Sequence, residues 1–214
     1  MSLLSILVVL ISMYFVQHVL GVIILLGYFD RKPIIGERGI FDVSVIIPFR
    51  DEALRIEALL DSINKLEIPS SLEVEFVFVD DHSSDQTAQI IKNKLKTTFR
   101  IVQSKSKGKK AAIRLGVEEA AHSYIITWDA DVEVPETYFT KLIQYPPSDM
   151  MILPVRMVSS NVIGGLASIE FYWLQMLTYA SAKWQSPLLC NGANLVFKKK
   201  TFERLQQFRT DEHI

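Results

Sequence analysis

Apolar residues are spaced in two different ways along this chain. From Leu3 to Phe29 no charged residue occurs, and Gln17, His18, a few Ser and two Gly are the polar or small interruptions. At about 1.5 Å per helical residue, such a run is long enough to cross the roughly 30 Å of bilayer hydrocarbon. It lacks the basic start, short apolar core and small-residue cleavage site of a secretory signal, so residues 1–30 read as an uncleaved transmembrane anchor. Residues 31–42, with Pro33, Gly36 and Gly39, read as a linker. Beyond Asp42 the pattern alternates in type. Val43–Phe49 predicts a strand. Ile56, Leu59, Leu60, Ile63 and Leu66 form one stripe of a helix over Glu52–Leu66, which Pro69 stops. There follow a strand over Glu73–Val79, a helix over Gln86–Leu95, a strand over Phe99–Val102, a helix over Lys109–Ala121 and a strand over Tyr124–Trp128. A further helix is expected near Pro135. Strand-helix alternation of this kind predicts an α/β domain over 43–214, with a mainly parallel sheet flanked by helices.

The chain has 214 residues, 49% hydrophobic and 22% charged, enough to bury one sizeable core. Its mean hydropathy of +0.21 is high for a soluble protein, and the excess lies at the front. No Lys or Arg precedes the apolar run, whereas Arg31 and Lys32 follow it and Arg38 lies a little further on. The positive-inside rule therefore puts the globular part in the cytoplasm. His18, inside the span without an acidic partner, reads as a tolerated neutral imidazole. Cys190 is the single cysteine, which excludes an internal disulfide and suits a reducing compartment.

Charge is more informative in its distribution than in its net value of -1. Between Asp85 and Glu118 there is no acid, while basic residues recur. Lys92, Lys94 and Lys96 read as a solvated helix face. Lys107-Gly108-Lys109 differs, because it lies in a loop just before a helix, where glycine permits close backbone approach and the helix N-terminus attracts phosphate. The stretch lacks interleaved aromatics, so no nucleic-acid partner is expected. Acids, by contrast, gather at strand ends. Arg50-Asp51-Glu52 follows the first strand. Asp80-Asp81 ends the second, with Asp85 a plausible N-cap of the next helix. Asp129-Ala130-Asp131 follows Trp128. Carboxylates at i and i+2 of an extended backbone share a face, and the cation that would relieve their repulsion is a divalent ion such as Mg²⁺ or Mn²⁺ bridging to phosphate. Carboxylates at the C-terminal end of such strands can also accept from a ribose hydroxyl or a base imide. Phosphate-loop, dinucleotide and Gly-x-Ser-x-Gly signatures do not occur.

Taken in order and spacing, Val43-Ser44-Val45-Ile46-Ile47-Pro48-Phe49-Arg50-Asp51-Glu52, Val79-Asp80-Asp81-His82-Ser83-Ser84-Asp85, Lys107-Gly108-Lys109-Lys110-Ala111 and Asp129-Ala130-Asp131 resemble the family-two inverting glycosyltransferases of GT-A fold. The resemblance runs from about Asp42 to the C-terminus. It implies that Pro48, Arg50 and Glu52 line a nucleotide pocket, with Asp80 and Ala130 beside it, and that Asp81 contacts the base. It also implies that Lys109 lies near the nucleotide diphosphate, and that Asp131, with Asp129, holds the metal and the sugar phosphate. Asn191-Gly192-Ala193-Asn194, ahead of apolar Leu195-Val196-Phe197 and basic Lys198 to Lys200, looks like the family's acceptor-side loop.

The expected reaction moves a sugar from a nucleotide-diphosphate donor to a polysaccharide, lipid or lipid-linked acceptor, with inversion. A divalent metal and Lys109 would offset charge on the leaving diphosphate. Family members carry the base that deprotonates the acceptor as an acidic pair shortly after the acceptor-side loop and its helix. That spacing puts the base just beyond Ile214, as in a C-terminally truncated domain, and leaves Asp211 and Glu212 as the fallback pair. Leu166, Ile169, Trp173, Leu174, Met176 and Leu177, after Gly164-Gly165, predict a very apolar helix at the membrane surface or lining the acceptor site. The alternatives are a nucleotide-sugar-binding scaffold without turnover and a metal-dependent nucleotidyltransferase.

Overall fold

A computed structural model describes residues 3–29, 42–146, 148–159, 161–182 and 192–211. Its contacts divide the chain into two units. The first contains helices α1 (Leu3–Phe29) and α6 (Val162–Ala182). Among the described residues α1 is the one helix long and apolar enough to cross a membrane, and most of its side chains are exposed. α6 packs on it where Gly21 faces Trp173 and Leu177, a spot that a Cβ would overfill, and His18 stacks on the Trp173 ring at 5.1 Å. α6 begins before Gly164-Gly165 rather than after them. Asn161 explains the earlier start, since its side-chain oxygen accepts the Gly164 N–H at 2.7 Å as an N-terminal cap.

The second unit holds one six-stranded sheet in the order β3-β2-β1-β4-β6-β5. β1 (Val43–Phe49), β2 (Val74–Asp80), β3 (Phe99–Gln103) and β4 (Tyr124–Trp128) are mutually parallel, as the strand-helix alternation requires. β6 (Asn194–Lys198) pairs antiparallel with β4, and β5 (Met150–Ile152) antiparallel with β6. Neither strand follows from the residue spacing; Leu195-Val196-Phe197 is too short to distinguish a strand from a buried helical turn. The helices between these strands are α2 (Ile56–Ile63), α3 (Thr87–Lys94), α4 (Lys109–Glu119) and α5 (Tyr138–Leu142), and α7 (Lys199–Asp211) follows β6.

Every residue of β1 and β4 is buried, which is why their apolar runs are continuous rather than alternating. One face carries the larger core, with Val45, Ile47, Phe76, Phe78, Ile126 and Trp128 packed against Ile56, Leu59 and Leu60 of α2. The other carries Ile46, Val77, Val79 and Ile125 against Ala112 and Val117 of α4. Gly116 lets α4 lie this close, because a Cβ there would collide with Ile46. α2 starts at Ile56 instead of Glu52, since residues 51–53 are claimed by the neighbouring loop, as described below. α5 likewise starts at Tyr138, after a turn in which Pro135 O accepts the Tyr138 N–H.

Toward the start of β1 and β2 a polar cluster closes the sheet. Glu75 accepts from Ser44 Oγ at 2.6 Å, from the Ala121 N–H at 3.0 Å and from Arg100 at 2.6 and 3.0 Å. Burial pushes its carboxyl up, but the bonds from Ser44, Ala121 and Arg100 outweigh burial and hold it below the ordinary 4.5. Because the folded value is the lower one, the stabilisation is present above about pH 4.5 and is lost as pH falls through the folded value. Glu75→Gln should therefore cost roughly 1–3 kcal/mol at neutral pH. Thermal melts of both proteins across pH 3–7 should converge at the acid end, and a gap that persisted there would contradict this account.

Candidate functional site

β2, β1 and β4 lie side by side and parallel, so their C-terminal ends share one sheet edge, the edge at which open α/β sheets form ligand crevices. A cleft of about 230 Å³ opens there. Pro48, Arg50, Glu52, Asp81, Lys109, Asp129, Ala130 and Asp131 line it together with Phe49. Four separate stretches of sequence are thus brought to one place. Asp80 is the exception among the expected donor-side residues. Its Oδ1 accepts the Ser83 N–H at 2.8 Å, so it shapes the turn after β2 and is not among the residues lining the cleft.

The loops after β1 and β2 are bonded to each other. Asp51 adopts a left-handed backbone (φ 54°), and its Oδ1 accepts from Ser84 N–H at 2.7 Å and Ser84 Oγ at 3.0 Å. The Ser84 backbone bond, then the hydroxyl bond, hold the Asp51 carboxyl below its ordinary value. The Glu52 N–H donates to Thr87 Oγ1 at 2.9 Å, and the Ala53 N–H donates to Asp85 Oδ2 at 3.0 Å. Asp85 also accepts the Thr87 N–H at 3.0 Å, so the residue expected to cap α3 does reach its first turn while its second oxygen ties down the neighbouring loop. Burial pushes that carboxyl up, yet the bonds from Thr87 and Ala53 leave it lowered. Tied down in this way, with Asp51 in the left-handed region, residues 51–53 form a turn, and α2 begins only at Ile56.

Asp81 holds the basic loop. Both of its carboxylate oxygens accept the Gly108 N–H, at 2.8 and 2.9 Å, and the side chain is buried. Gly108 has φ 113°, which glycine adopts without strain. The next residue, Lys109, opens α4 and places its Nζ 2.6 Å from Asp129 Oδ1. Across the cleft Arg55 pairs with Glu52 at 2.8–2.9 Å and lies 3.9 Å from Asp131 Oδ2. Arg55 belongs to none of the four motifs. Its spacing of three from Glu52, at the start of a helix, is the signal that could have flagged it.

Asp129 and Asp131 offer hard oxygen donors of the kind Mg²⁺ and Mn²⁺ take, and each already has a cationic side chain beside it, which marks the spot as one of negative potential. No group of three or more His, Cys, Asp or Glu occurs in metal-binding arrangement among the described residues. Two carboxylates fit an ion that completes its coordination with phosphate and water, as Mg²⁺ does.

On the other side of β4, β6 runs back so that Asn194 lies opposite Trp128, one residue before Asp129. Thr127 Oγ1 donates to Gly192 O at 2.6 Å, and Tyr138 Oη donates to Asn194 Oδ1 at 2.7 Å. The expected acceptor-side residues Gly192 and Asn194 therefore stand at the same sheet edge as the aspartates. Asn191 and Glu212 lie outside the described residues; Asp211 is the last residue of α7.

Residues 44–205 match the model of glycosyl transferase family 2. The chain belongs to that family. Among relatives, this family-2 chain is 37% identical over 106 residues to a dolichol-phosphate mannosyltransferase of Pyrococcus furiosus, covering 48% of the chain and 29% of that protein. It is 33% identical over 96 residues to a 4,4'-diaponeurosporenoate glycosyltransferase of Staphylococcus haemolyticus, covering 43% and 24% respectively. Matches of this kind span less than a third of the length of those curated relatives. In fold, the chain is similar to the mannosyltransferase PcManGT from Pyrobaculum calidifontis, in complex with GDP-Man and Mn²⁺, with TM-score 0.69 at 21% identity over 94% of the chain and 57% of that one. TarS 1-349 of S. aureus in complex with UDP-GlcNAc gives a TM-score of 0.50 at 22% identity, covering 77% of the chain and 47% of that one. The GT-A fold expected from the sequence is the fold of this family-2 chain.

Proposed function

We propose that this chain forms the donor-binding part of a membrane-anchored glycosyltransferase that moves a sugar from a nucleotide diphosphate to a lipid-linked or polysaccharide acceptor, with inversion and with help from a divalent metal. The observation that carries the reading is the meeting of Asp81, Lys109, Asp129 and Asp131 in one cleft at the C-terminal sheet edge of a family-2 domain. A scaffold role would not require an acid pair and a lysine to converge there. Solved relatives in fold hold GDP-Man with Mn²⁺ or UDP-GlcNAc, and similar chains act on dolichol phosphate or undecaprenyl phosphate by name, which supports the donor and acceptor classes.

In this reading Asp129 and Asp131 hold the metal, which when bound supplies positive charge to the leaving diphosphate. Lys109, tethered through Gly108 to Asp81, adds a fixed ammonium at the same phosphates. Pro48, Arg50 and Glu52 wall the nucleotide side, and Gly192 and Asn194 present the acceptor. Where the acceptor attacks through a hydroxyl, a carboxylate takes its proton as the bond to the anomeric carbon forms and the bond to the diphosphate breaks, whereas a lipid phosphate attacks through an oxygen already ionised. Asp211 and Glu212 are the candidates for that carboxylate. The anchor, α1, carries its basic flank toward residue 42, so we infer that the cleft faces the cytoplasm, where nucleotide sugars are made.

Sealed vesicles of both orientations carrying the full-length protein test this, with radiolabelled UDP- and GDP-sugars offered from outside. Transfer to lipid or polymer is expected with at least one donor, with release of the nucleoside diphosphate, in vesicles that expose the cytoplasmic face. Pyrophosphate release from nucleoside triphosphates would favour a nucleotidyltransferase, binding without turnover a scaffold, and activity in the opposite orientation alone would reverse the topology.

A further inference from the structure

Trp128 precedes the first metal-side aspartate and is almost wholly buried; its ring meets Tyr138 edge-on at 5.1 Å, and Phe139 packs on the same pair. A tyrosine so enclosed could have been a phenylalanine. Its hydroxyl instead donates to Asn194 Oδ1 at 2.7 Å. Next to it, the buried Thr127 side chain donates to Gly192 O at 2.6 Å. Both donors thus reach from the β4–α5 side of the core to the short segment that enters β6. Neither Thr127 nor Tyr138 lines the donor cleft. Burial pushes the Tyr138 hydroxyl well above its ordinary value, so at neutral pH it keeps its proton and can donate to Asn194.

We propose that Thr127 and Tyr138 are positioning residues for the acceptor: they clamp Gly192 and Asn194 at a fixed height beside Asp129, and so set where the acceptor's attacking oxygen meets the donor without touching either substrate. The proposal rests on the acceptor-side reading of the Gly192–Asn194 segment. It adds two hydroxyls that no motif points to. A segment held by two side-chain bonds is pre-ordered, and an acceptor then has less of that ordering to supply on binding. Loss of one clamp should therefore weaken acceptor use and leave donor binding alone.

The test uses the full-length protein in detergent, with undecaprenyl phosphate or dolichol phosphate as acceptor probe and the UDP- or GDP-sugar that the vesicle assay identifies as donor. Tyr138→Phe and Thr127→Val each remove one hydroxyl at nearly constant size. Each should raise the acceptor KM by about three- to tenfold, the range set by one ordinary hydrogen bond. The donor KM should stay the same, and the ratio of transfer to donor hydrolysis should fall. Thr127→Ser, which keeps the hydroxyl, should restore the acceptor KM, a rescue that general loosening of the core would not give. Thermal melts identify any variant that fails to fold, and amide hydrogen exchange at 192–194 then reads the clamp directly, with faster exchange expected in Tyr138→Phe. An acceptor KM that moves in Asn194→Ala but not in Tyr138→Phe or Thr127→Val overturns the clamp and leaves the acceptor segment standing. An Asn194→Ala variant with unchanged acceptor and donor kinetics overturns both.

Discussion

Replacing Asp131 with Asn is expected to cut transfer by about 100-fold or more, equivalent to roughly 2.7 kcal/mol of transition-state stabilisation, and to abolish the metal dependence of nucleoside diphosphate binding. The change keeps the side chain's size and removes one carboxylate charge of the Asp129/Asp131 pair in the cleft. It also removes the 3.9 Å pair with Arg55, but both groups there are about half exposed, so little stability should be lost. Calorimetric titration of UDP and GDP, with Mn²⁺ and with chelator, reads the effect directly. Wild-type protein in chelator should resemble the variant in Mn²⁺. Diphosphate binding that survives the substitution undiminished, in a protein that still melts like the wild type, would sink the metal assignment.

A second large effect is expected from Asp81→Asn, and it separates two roles for that side chain. The family resemblance gives Asp81 to the nucleotide base; the structure shows both carboxylate oxygens on the Gly108 N–H. An asparagine keeps one acceptor and turns a second group, an NH₂ donor, into the same small space, leaving one bond lost and the charge gone. If Asp81 acts through the loop, Lys109 loses its fixed position, and affinity for a diphosphate should fall about 10- to 100-fold, in line with a buried charged hydrogen bond. The monophosphate of the same base should then be little affected. Combining Asp81→Asn with Lys109→Ala should give less than the sum of the two losses, as groups acting in series do. An equal loss for UMP and UDP, or for GMP and GDP, with additive effects of the two substitutions, would instead return Asp81 to the base.

Much of this was legible in the sequence because it depends on local rules. The run from Leu3 to Phe29 holds no proline to break a helix, and the buried strands β1 and β4 announce themselves as apolar runs interrupted by Ser44 and Thr127 alone. Asp129 and Asp131 follow such a strand with period-2 spacing, and Lys109 follows a glycine at a helix start, so their chemistry could be read before any geometry. Spacing could not say which strands are neighbours. That β4 lies beside β1, bringing Asp129 and Asp131 to the acids after Phe49, is a matter of crossover and strand order, set by which apolar faces pack together. The antiparallel β6, and with it the meeting of Asn194 with Trp128 and Tyr138, arises from long-range pairing that leaves no local signature. Residues 52–55 show the same limit in reverse: the expected helix took them in, but Ser83, Ser84, Asp85 and Thr87, more than thirty positions away, bond to Asp51, Glu52 and Ala53 and hold this stretch in a turn. Local preferences of a few tenths of a kcal/mol per residue fixed the long apolar first helix, the strands and the kinds of side chain at their ends. Only tertiary hydrogen bonds and sheet order, each stronger than such preferences, decided which of those side chains share a site.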